Sequence, residues 1–287
     1  MWADEALARL GRPRHGAAVQ TRTWNLSSIW RLPTQNGDVW FKAVPDLCAH
    51  EGAVMHALRA HRVPRVLAFD GKGRALLEHV PGENQYRAEL PRLRTMVELL
   101  VDIQTAWLGR SAGPLALGLP DWRRDAFVRA AEEVMPASAF LDAGVRRRLD
   151  RLVEGLHRRF TDLDQCGLPE TVVHGDAHPG NFRSDGSSLV LIDWADCGVG
   201  HPLLDRTAFS EGVPAHQRDL VQRHWIDEWS RRAPGSDPGR AARLVRSLGA
   251  LRNAVVYARL LRTIEPSERC YHEQDVPRWL AIAASLA

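Results

Sequence analysis

The sequence predicts an α+β chain of two lobes, a small antiparallel sheet lobe over residues 1–80 and a larger, mainly helical lobe over 81–287. Two observations carry this prediction. Up to about residue 80, short runs rich in Val, Trp, Ile and Thr alternate with turn residues, which is typical of β-strands. Pro81-Gly82 then interrupts the chain, and helical spacing between scattered prolines follows.

Five strands and one helix are predicted for the first lobe. Asn36-Gly37 lies between two strand-like runs, and both residues tolerate positive φ, so this dipeptide indicates a tight hairpin. Leu47, Val54 and Leu58 recur with helical spacing, which predicts one helix over about 46–61. The predicted strands are 17–24, 28–33, 38–44, 65–69 and 74–80.

The second lobe is predicted to be helical, with one interruption. Helices are expected near 88–109, 121–135, 142–162, 203–211, 214–232, 238–264 and 274–286. The segment 172–193 lacks helical spacing, and its apolar run 189–192 is typical of a short buried strand. That strand ends at the carboxylate of Asp193. The polar residues of this segment are therefore the first candidates for a functional site.

The composition is that of a globular protein and argues against several classes of function. The 287 residues are 45% hydrophobic and 25% charged, with a formal net charge of +3, so no overall field attracts nucleic acid or an anionic membrane. The four cysteines have no CxxC spacing, and we expect free thiols. Neither a secretory leader nor a membrane-spanning run is visible, so a cytoplasmic location is expected.

Three polar side chains in the segment 172–193 meet the needs of phosphoryl transfer. Asp176, Asn181 and Asp193 lie on loops beside short strands. The reaction needs a carboxylate that accepts the proton of an attacking hydroxyl, and oxygen ligands that hold Mg²⁺ against the phosphates. Mg²⁺ commonly takes one or two such ligands from the protein. Asp176 fits the base, and Asn181 and Asp193 fit the metal ligands.

The same segment is also compatible with a purely local role or with a zinc site. Each of the three side chains could serve local structure, as a turn, strand-entry or helix-capping residue. Alternatively, His174 and His178 have the i,i+4 spacing of a zinc site on a helix. The glycines and proline around them argue against a helix, so His174 is expected to order the loop through a backbone hydrogen bond.

The triplet His174-Gly175-Asp176, Asn181 five residues later, and the triplet Ile192-Asp193-Trp194 together resemble the motifs of the aminoglycoside phosphotransferase and choline kinase superfamily. Members of that superfamily share a bilobal protein-kinase-like fold, and the motifs match over about 172–206. The resemblance implies that Asp176 is catalytic, that Asn181 and Asp193 bind Mg²⁺, and that ATP is the phosphoryl donor.

Lys42 is the candidate for a cation on the ATP phosphates. It lies in the apolar run 39–44 and is one of only two lysines, the other being Lys72, in a chain that otherwise uses Arg. This scarcity indicates that a compact ammonium group is needed there. The resemblance also places the ATP-phosphate lysine on the third strand. Glu51, on the second turn of the next helix, is expected to hold Lys42; surface positions for both are the alternative.

Other residues of the first lobe are expected around the nucleotide. Trp40 shares a strand face with Lys42 and could stack on adenine, whereas a core position is the alternative. No GxGxxG is present, and Ser27 and Ser28 are expected to contact phosphate, since the Ser/Asn turn at Asn25 resembles that of aminoglycoside-type kinases. The remaining candidates are two backbone groups of a hinge-like segment and an apolar side chain of the pocket floor: the C=O of Glu78, the N–H of Val80, and Ile192.

The acceptor is expected to be a small molecule with a hydroxyl group. The resemblance favours an aminoglycoside or related antibiotic, and hence a resistance kinase. A metabolic kinase for an amino sugar, a choline-like compound or another amino alcohol is the alternative. A non-catalytic nucleotide-binding pseudokinase is a third possibility, disfavoured because Lys42, Asp176, Asn181 and Asp193 are all present.

Residues outside the motifs do not identify the acceptor. No dense acidic cluster suited to a polycation is evident in the second lobe. The resemblance places Asp205 at a position that more often braces the loop than contacts substrate. Asn253 and Tyr257, four residues apart on one helix, could bind hydroxyls or simply pack. A monomer or weak homodimer is expected, without nucleic-acid or membrane partners.

Overall fold

The computed structural model describes residues 2–24 and 26–287. Contacts divide the chain into two compact units. Unit 1 comprises Met1–Arg87 and Pro179–Cys197, and unit 2 comprises Ala88–His178 and Gly198–Ala287. The sequence analysis assigned the segment Pro179–Cys197 to the second lobe. In the structure it belongs to unit 1, because its first short strand pairs with Glu83–Asn84 of that unit.

The described strands and helices are numbered in chain order. The strands are β1 (Val19–Trp24), β2 (Ser27–Thr34), β3 (Gly37–Ala43), β4 (Val66–Phe69), β5 (Arg74–Glu78), β6 (Glu83–Asn84), β7 (Thr171–Val173), β8 (Phe182–Ser184), β9 (Leu189–Leu191) and β10 (Gly198–Gly200). The helices are α1 (Trp2–Arg9), α2 (Glu51–Ala57), α3 (Leu90–Ala106), α4 (Ala112–Ala116), α5 (Arg124–Val134), α6 (Ala143–Glu154), α7 (Leu156–Asp164), α8 (Arg206–Glu211), α9 (Ala215–Arg232), α10 (Pro238–Thr263) and α11 (Asp275–Ser285).

Unit 1 contains the predicted five-stranded antiparallel sheet, and its strands lie in the order β1-β2-β3-β5-β4. The hairpin between β2 and β3 turns at Asn36-Gly37, where Gly37 has φ 98°, a conformation that glycine adopts without a steric penalty. The Thr34 hydroxyl donates to the Gly37 carbonyl at 2.6 Å and closes the turn. In the central register, Lys42 lies opposite Ala75 of β5.

The prediction of a single helix in the first lobe is wrong. Helix α1 packs Leu7 against a buried cluster that includes Leu32, Val39 and Leu76 of the sheet. An eight-residue helix is only marginally stable alone, so this tertiary burial, which the local pattern does not reveal, explains why it forms. The helix predicted over 46–61 is also shorter, with a 3-10 turn at Asp46–Cys48 before α2.

Two small sheets accompany the main one. In unit 1, β6, β8 and β9 form an antiparallel sheet, with Phe182 opposite Leu191. In unit 2, β7 pairs antiparallel with β10. The interruption predicted within the helical lobe is therefore present, and its two halves pair in different units.

Unit 2 is otherwise helical, with fully buried side chains such as Trp225 and Trp229 at its centre. The helix predicted over 142–162 is divided into α6 and α7 at Gly155, since glycine is a poor helix former. All four cysteines are free thiols, as expected. Within the described ranges, no helix is long and apolar enough to span a membrane.

Candidate active site

A buried ion pair joins β3 to α2. The Lys42 ammonium donates to Glu51 Oε1 at 2.7 Å, and the two residues are only 7% and 3% exposed. The structure thus brings together the two residues that the sequence analysis paired. Glu51 is the first residue of α2 and not part of a second turn, because the preceding 3-10 turn delays the start of the helix.

The same pair is connected to the loop after β9. Lys42 also donates to Asp193 Oδ1 at 2.7 Å, and Glu51 Oε1 accepts the backbone N–H of Trp194 at 3.0 Å. Burial by itself lowers the pKa of Lys42, but the charges of Glu51 and Asp193 outweigh it and raise that pKa above its usual range. Lys42 therefore remains a cation held between two carboxylates.

Asp193 has an unusual backbone conformation. Its φ of 65° is the only positive value of a non-glycine residue within the described ranges. This left-handed conformation costs an L-residue about 1–2 kcal/mol, so the surroundings must enforce it. Its side chain is 40% exposed while one oxygen holds Lys42. The strain therefore accompanies a carboxylate that is fixed at one oxygen and accessible to solvent.

Asn181 and Asp193 are neighbours at the open end of the β8–β9 hairpin. The N–H of Ile192 donates to the Asn181 carbonyl at 2.8 Å, directly beyond the last pair of the ladder. The amide of Asn181 and the carboxylate of Asp193 thus lie at the ends of two paired strands. These are hard oxygen donors of the kind that Mg²⁺ binds.

A cavity of about 220 Å³ opens beside this network in unit 1. Lys42, Glu51 and Asp193 line its polar end. The rest of its wall is mostly apolar and includes Ile29, Trp40, Met55, Leu77, Val80 and Ile192. The Trp40 ring stacks on His79 with centroids 6.1 Å apart, and its indole N–H donates to His79 Nδ1 at 2.9 Å.

Of the other predicted nucleotide contacts, some line this cavity and some do not. Glu78 and Val80 both line the cavity, as Ile192 does. Ser27 and Ser28 do not: their hydroxyls accept from the indoles of Trp24 at 2.9 Å and Trp30 at 2.8 Å. The aromatic residues of β1 and β2 thus engage both hydroxyls, an effect that the loop sequence does not reveal. Asn25 of the same turn lies outside the described residues.

In unit 2, a buried carboxylate shapes the loop that carries Asp176. Asp205 accepts the N–H of Gly175 at 2.7 Å and the N–H of His174 at 2.9 Å. Gln104 of α3 donates to the same carboxylate at 2.8 Å. Burial raises the pKa of Asp205 to about 6 despite these hydrogen bonds. Asp205 therefore braces the loop, in agreement with the position that the resemblance implies.

Asp176 itself is partly exposed, with 41% of its side chain accessible. Its N–H donates to Nδ1 of buried His174 at 3.2 Å, which is the loop-ordering contact expected for that histidine. Nε2 of His178 lies 3.5 Å from Asp176 Oδ2. His174 and His178 lie outside any helix, and no group of metal-ligating side chains within the described ranges contains them. The helix that the zinc alternative requires is therefore not present at these two histidines.

Residues that the sequence analysis did not assign to the site also contact this loop. Arg252 of α10 is 3% exposed and donates to the Gly175 carbonyl at 3.0 Å. Its guanidinium carbon lies 4.9 Å from the ring centre of Trp122. Gln104 is the other addition. Neither Arg252 nor Gln104 belongs to a local motif, so no signal within a short window could have identified them.

Residues 30–235 match the family model described as the phosphotransferase enzyme family. The chain belongs to the phosphotransferase enzyme family. This membership confirms the superfamily predicted from the motifs, and it confirms that the chain is a small-molecule phosphotransferase. A search of curated proteins found no match.

Solved structures show the same fold over nearly the whole chain. Choline kinase LicA from Streptococcus pneumoniae is 16% identical, with a TM-score of 0.68 over 99% of this chain and 98% of that one. Macrolide 2′-phosphotransferase MphH from Brachybacterium faecium is 15% identical, with a TM-score of 0.67 over 97% and 96%.

A third structure, the GDP complex of aminoglycoside 2′-phosphotransferase-IIIa, is 13% identical, with a TM-score of 0.65 over 99% and 97%. At these identities the likeness shows the fold alone. It confirms the protein-kinase-like fold class expected for this phosphotransferase.

Proposed function

We propose that this phosphotransferase moves the γ-phosphoryl group of ATP, with Mg²⁺, to a hydroxyl of a small molecule. The observation that carries the proposal is the position of Lys42. Its ammonium lies between Glu51 and Asp193 at 2.7 Å from each, and all three side chains line one cavity. A buried cation fixed by two carboxylates at a cavity wall is suited to the phosphates of a nucleotide.

The proposed nucleotide occupies the cavity of unit 1. Its apolar wall, with Trp40 and Ile192, suits an adenine ring, and the backbone at Glu78 and Val80 borders the same space. The triphosphate then lies toward Lys42. The GDP complex of aminoglycoside 2′-phosphotransferase-IIIa, which shares the fold, supports a purine nucleotide here. Contacts of Ser27 and Ser28 with phosphate remain a prediction.

The residues at the end of the β8–β9 hairpin fit Mg²⁺. Asn181 and Asp193 would hold the ion, since both carry oxygen donors and their strands are joined by the Ile192–Asn181 hydrogen bond. When bound, Mg²⁺ neutralises charge on the phosphate oxygens. Lys42 already engages one oxygen of Asp193, so cation and carboxylate are positioned relative to each other before any ligand arrives.

Asp176 is the proposed base. The hydroxyl oxygen of the acceptor forms a bond to the γ-phosphorus as the bond from that phosphorus to the β-phosphate oxygen breaks. The hydroxyl proton passes to the Asp176 carboxylate, and ADP and the phosphate ester leave. The bracing of Gly175 by Asp205 and Arg252 holds the adjacent backbone in place during this transfer.

Two acceptor classes follow from the fold relatives. Macrolide and aminoglycoside phosphotransferases support an antibiotic and hence a resistance function. Choline kinase and the microcompartment-associated aminopropanol kinase support a metabolic alcohol. ADP release measured over antibiotics, amino sugars, amino alcohols and hydroxy acids separates the two classes. A cytoplasmic location and a monomeric or weakly dimeric state remain predictions.

Substitution of Asp176 tests the proposed chemistry. We expect Asp176→Asn to lower kcat by about 10²–10⁴-fold, the usual worth of a general base, while the Kd for Mg·ATP changes less than twofold. Asp219→Asn, at an exposed carboxylate of α9, is the matched control and should retain wild-type turnover. Wild-type kcat in Asp176→Asn would contradict the proposed role of Asp176.

A further inference from the structure

One face of α10 meets the loop that carries Asp176. Arg252, Val256 and Arg259 follow the i, i+4, i+7 spacing that aligns side chains along one side of a helix. At the first of these positions, Arg252 donates to the carbonyl of Gly175, the residue immediately before Asp176. The Arg252 end of this face is therefore next to the proposed base, and the charge of the face bears on which acceptors can bind there.

Trp122 provides a fixed platform on that face. Its ring centre is 4.9 Å from the guanidinium carbon of Arg252 and 4.8 Å from that of Arg259. Trp122 is 1% exposed, and its ring packs so closely on Gly198 that a Cβ at that glycine would lie 2.4 Å from it. The indole thus cannot move without disturbing β10, and it fixes the plane on which the Arg259 guanidinium lies.

Arg259 has no anionic partner within the described ranges, in contrast to several paired arginines of unit 2. Arg123 pairs with Asp121 at 2.8 Å, and Arg240 pairs with Asp162 at 2.8 Å. Within the described ranges, the Arg259 guanidinium forms neither a hydrogen bond nor an ion pair, and it lies against the Trp122 ring instead.

The surroundings of Arg259 are electropositive. Burial lowers the pKa of Arg259, and the charges of Arg262 and Arg252 lower it further. Glu133 of α5 opposes this effect but forms no ion pair with Arg259. A half-buried, uncompensated cation destabilises a protein until an anion neutralises it. An anionic ligand would therefore gain a charge-assisted contact that the protein itself does not supply.

We propose that the acceptor carries an anionic group, a carboxylate or a phosphate ester, that binds Arg259 over Trp122 while its hydroxyl faces Asp176. This inference rests on the proposed phosphotransfer and specifies its substrate class. Arg259 lies two helical turns, about 10 Å, beyond Arg252 along the axis. The two guanidinium carbons nevertheless converge on one ring, at 4.9 and 4.8 Å from the Trp122 centre, so the anionic group is expected on the same face as the loop that Arg252 contacts.

An anion-binding Arg259 would discriminate between the two acceptor classes. A polycationic aminoglycoside would meet Arg252 and Arg259 at the Trp122 ring and would be repelled by them. A hydroxylated metabolite with an acidic group would be attracted. The proposed phosphotransferase is therefore assigned to metabolism of an acidic alcohol rather than to aminoglycoside inactivation.

The first test measures anion binding directly, with inorganic phosphate as the probe. The full-length protein is saturated with Mg²⁺ and a non-hydrolysable ATP analogue, and phosphate is titrated calorimetrically. We expect phosphate to bind the wild type with a Kd at least tenfold lower than that of Arg259→Ala or of Arg259→Gln, which keeps the side-chain length. Arg262→Ala removes an equal charge from an exposed position and should bind like the wild type. Equal affinity in all four proteins would overturn the assignment.

The second test uses acceptors that differ mainly in charge: glucosamine, glucose, glucuronate and glucose 6-phosphate, followed by hydroxy acids and kanamycin. We expect ADP release to be confined to the anionic compounds, with KM raised at least tenfold in Arg259→Ala and kcat changed less than threefold. A preference for glucuronate or for glucose 6-phosphate distinguishes a carboxylate site from a phosphate site. Efficient turnover of kanamycin or glucosamine, with KM unaffected by Arg259→Ala, would contradict the anionic class and leave the phosphotransfer proposal intact.

Failure of the proposed phosphotransfer gives a different result. In that case neither the wild type nor Asp176→Asn releases ADP with any acceptor, whereas the phosphate titration still reports on Arg259. Loss of phosphate binding in Arg259→Gln with an unchanged melting temperature supports the site. Equal loss in Arg262→Ala would show a general charge effect and would refute it.

Discussion

The two units hold their candidate site residues by different interactions. In unit 1, Lys42 is fixed by two carboxylates, so the network is ionic and borders a cavity. In unit 2, Asp205 is fully buried and accepts two backbone N–H groups, with no ion pair within the described ranges. The first network presents charge to a ligand, whereas the second holds a loop in one conformation.

This difference predicts that the charge of Lys42 is constant near physiological pH, whereas the charge of Asp205 changes close to that range. Neighbouring carboxylates raise the pKa of Lys42 and keep it charged at any physiological pH. Burial raises the pKa of Asp205 to about 6, which brings its titration close to the physiological range. Substitutions in unit 1 should therefore mainly change ligand binding and turnover, and substitutions in unit 2 should mainly change loop order and pH dependence.

The largest expected effect is a loss of kcat/KM when Lys42 is substituted. Lys42→Arg should lower kcat/KM by about 10²–10³-fold, because the broad guanidinium cannot occupy the buried position of the ammonium between Glu51 and Asp193. Steady-state kinetics with the best acceptor measure this. Lys72→Arg, at the other lysine of the chain, lies in an exposed turn and should leave kcat/KM unchanged. Equal kcat/KM values for Lys42→Arg and Lys72→Arg would contradict a specific role of the Lys42 network in turnover.

The second-largest effect is expected when Glu51, the buried partner of Lys42, is substituted, and it concerns the stability of the fold. Glu51→Gln deletes a charge-assisted hydrogen bond with Lys42 and weakens the contact with the N–H of Trp194. We expect the free energy of unfolding to fall by about 2 kcal/mol in urea titrations. Glu83→Gln, at an exposed position of β6, should change it by less than about 0.5 kcal/mol, as is usual for surface positions. An unchanged free energy of unfolding in Glu51→Gln would mean that Asp193 alone is enough to stabilise the buried Lys42 ammonium.

A pH experiment addresses the network of unit 2. The folded pKa of Asp205, about 6, lies above its usual 3.8, so the folded state binds the proton more tightly than the unfolded state. The stabilisation from protonation is complete below about pH 3.8 and is lost as pH rises through about 6. Between pH 5 and 7 this group should contribute a fall of about 1 kcal/mol in the free energy of unfolding.

Asp205→Asn should abolish that share of the pH dependence, since the amide does not titrate. Urea unfolding of both proteins at several pH values measures the difference in slope. Asp219→Asn is exposed and should follow the wild-type slope. If Asp205→Asn and the wild type show parallel pH profiles, Asp205 does not titrate in this range.

The smallest expected effect concerns the apolar end of the cavity in unit 1. Trp40→Leu should raise the Kd for Mg·ATP about fivefold, which corresponds to about 1 kcal/mol of lost aromatic contact with adenine. Phe41→Leu, on the opposite face of the same strand and outside the cavity lining, should leave the Kd unchanged once folding is verified by circular dichroism. A similar Kd in both variants would favour a packing role for Trp40.

Much of the first lobe could be predicted because its signals are local. The Asn36-Gly37 hairpin, the alternation along 38–44 and the scarcity of lysine each lie within a few residues, and they place Lys42 and Trp40 correctly on one face of β3. The proximity of Lys42 and Glu51 also followed from their short separation. The needs of phosphoryl transfer indicated Asp176 as the carboxylate expected to react, and the resemblance implied the same role.

Contacts between distant segments could not be predicted in this way. Gln104 is 101 residues from Asp205, and Arg252 is 77 residues from Gly175. Periodicity indicates which face of an element is buried but not which distant element covers it. The same limit explains why α1 was missed and why the indole partners of the Ser27 and Ser28 hydroxyls were not anticipated.

By itself, then, the sequence determined the fold class, the spacing of Asp176, Asn181 and Asp193, and the family, because these depend on residue type and short-range order. Only the tertiary structure decided that Asp193 shares Lys42 with Glu51 and that an unpaired Arg259 lies over Trp122. The physical reason is that pairing and burial of charge depend on which remote groups pack together, and many packings are compatible with the same local pattern.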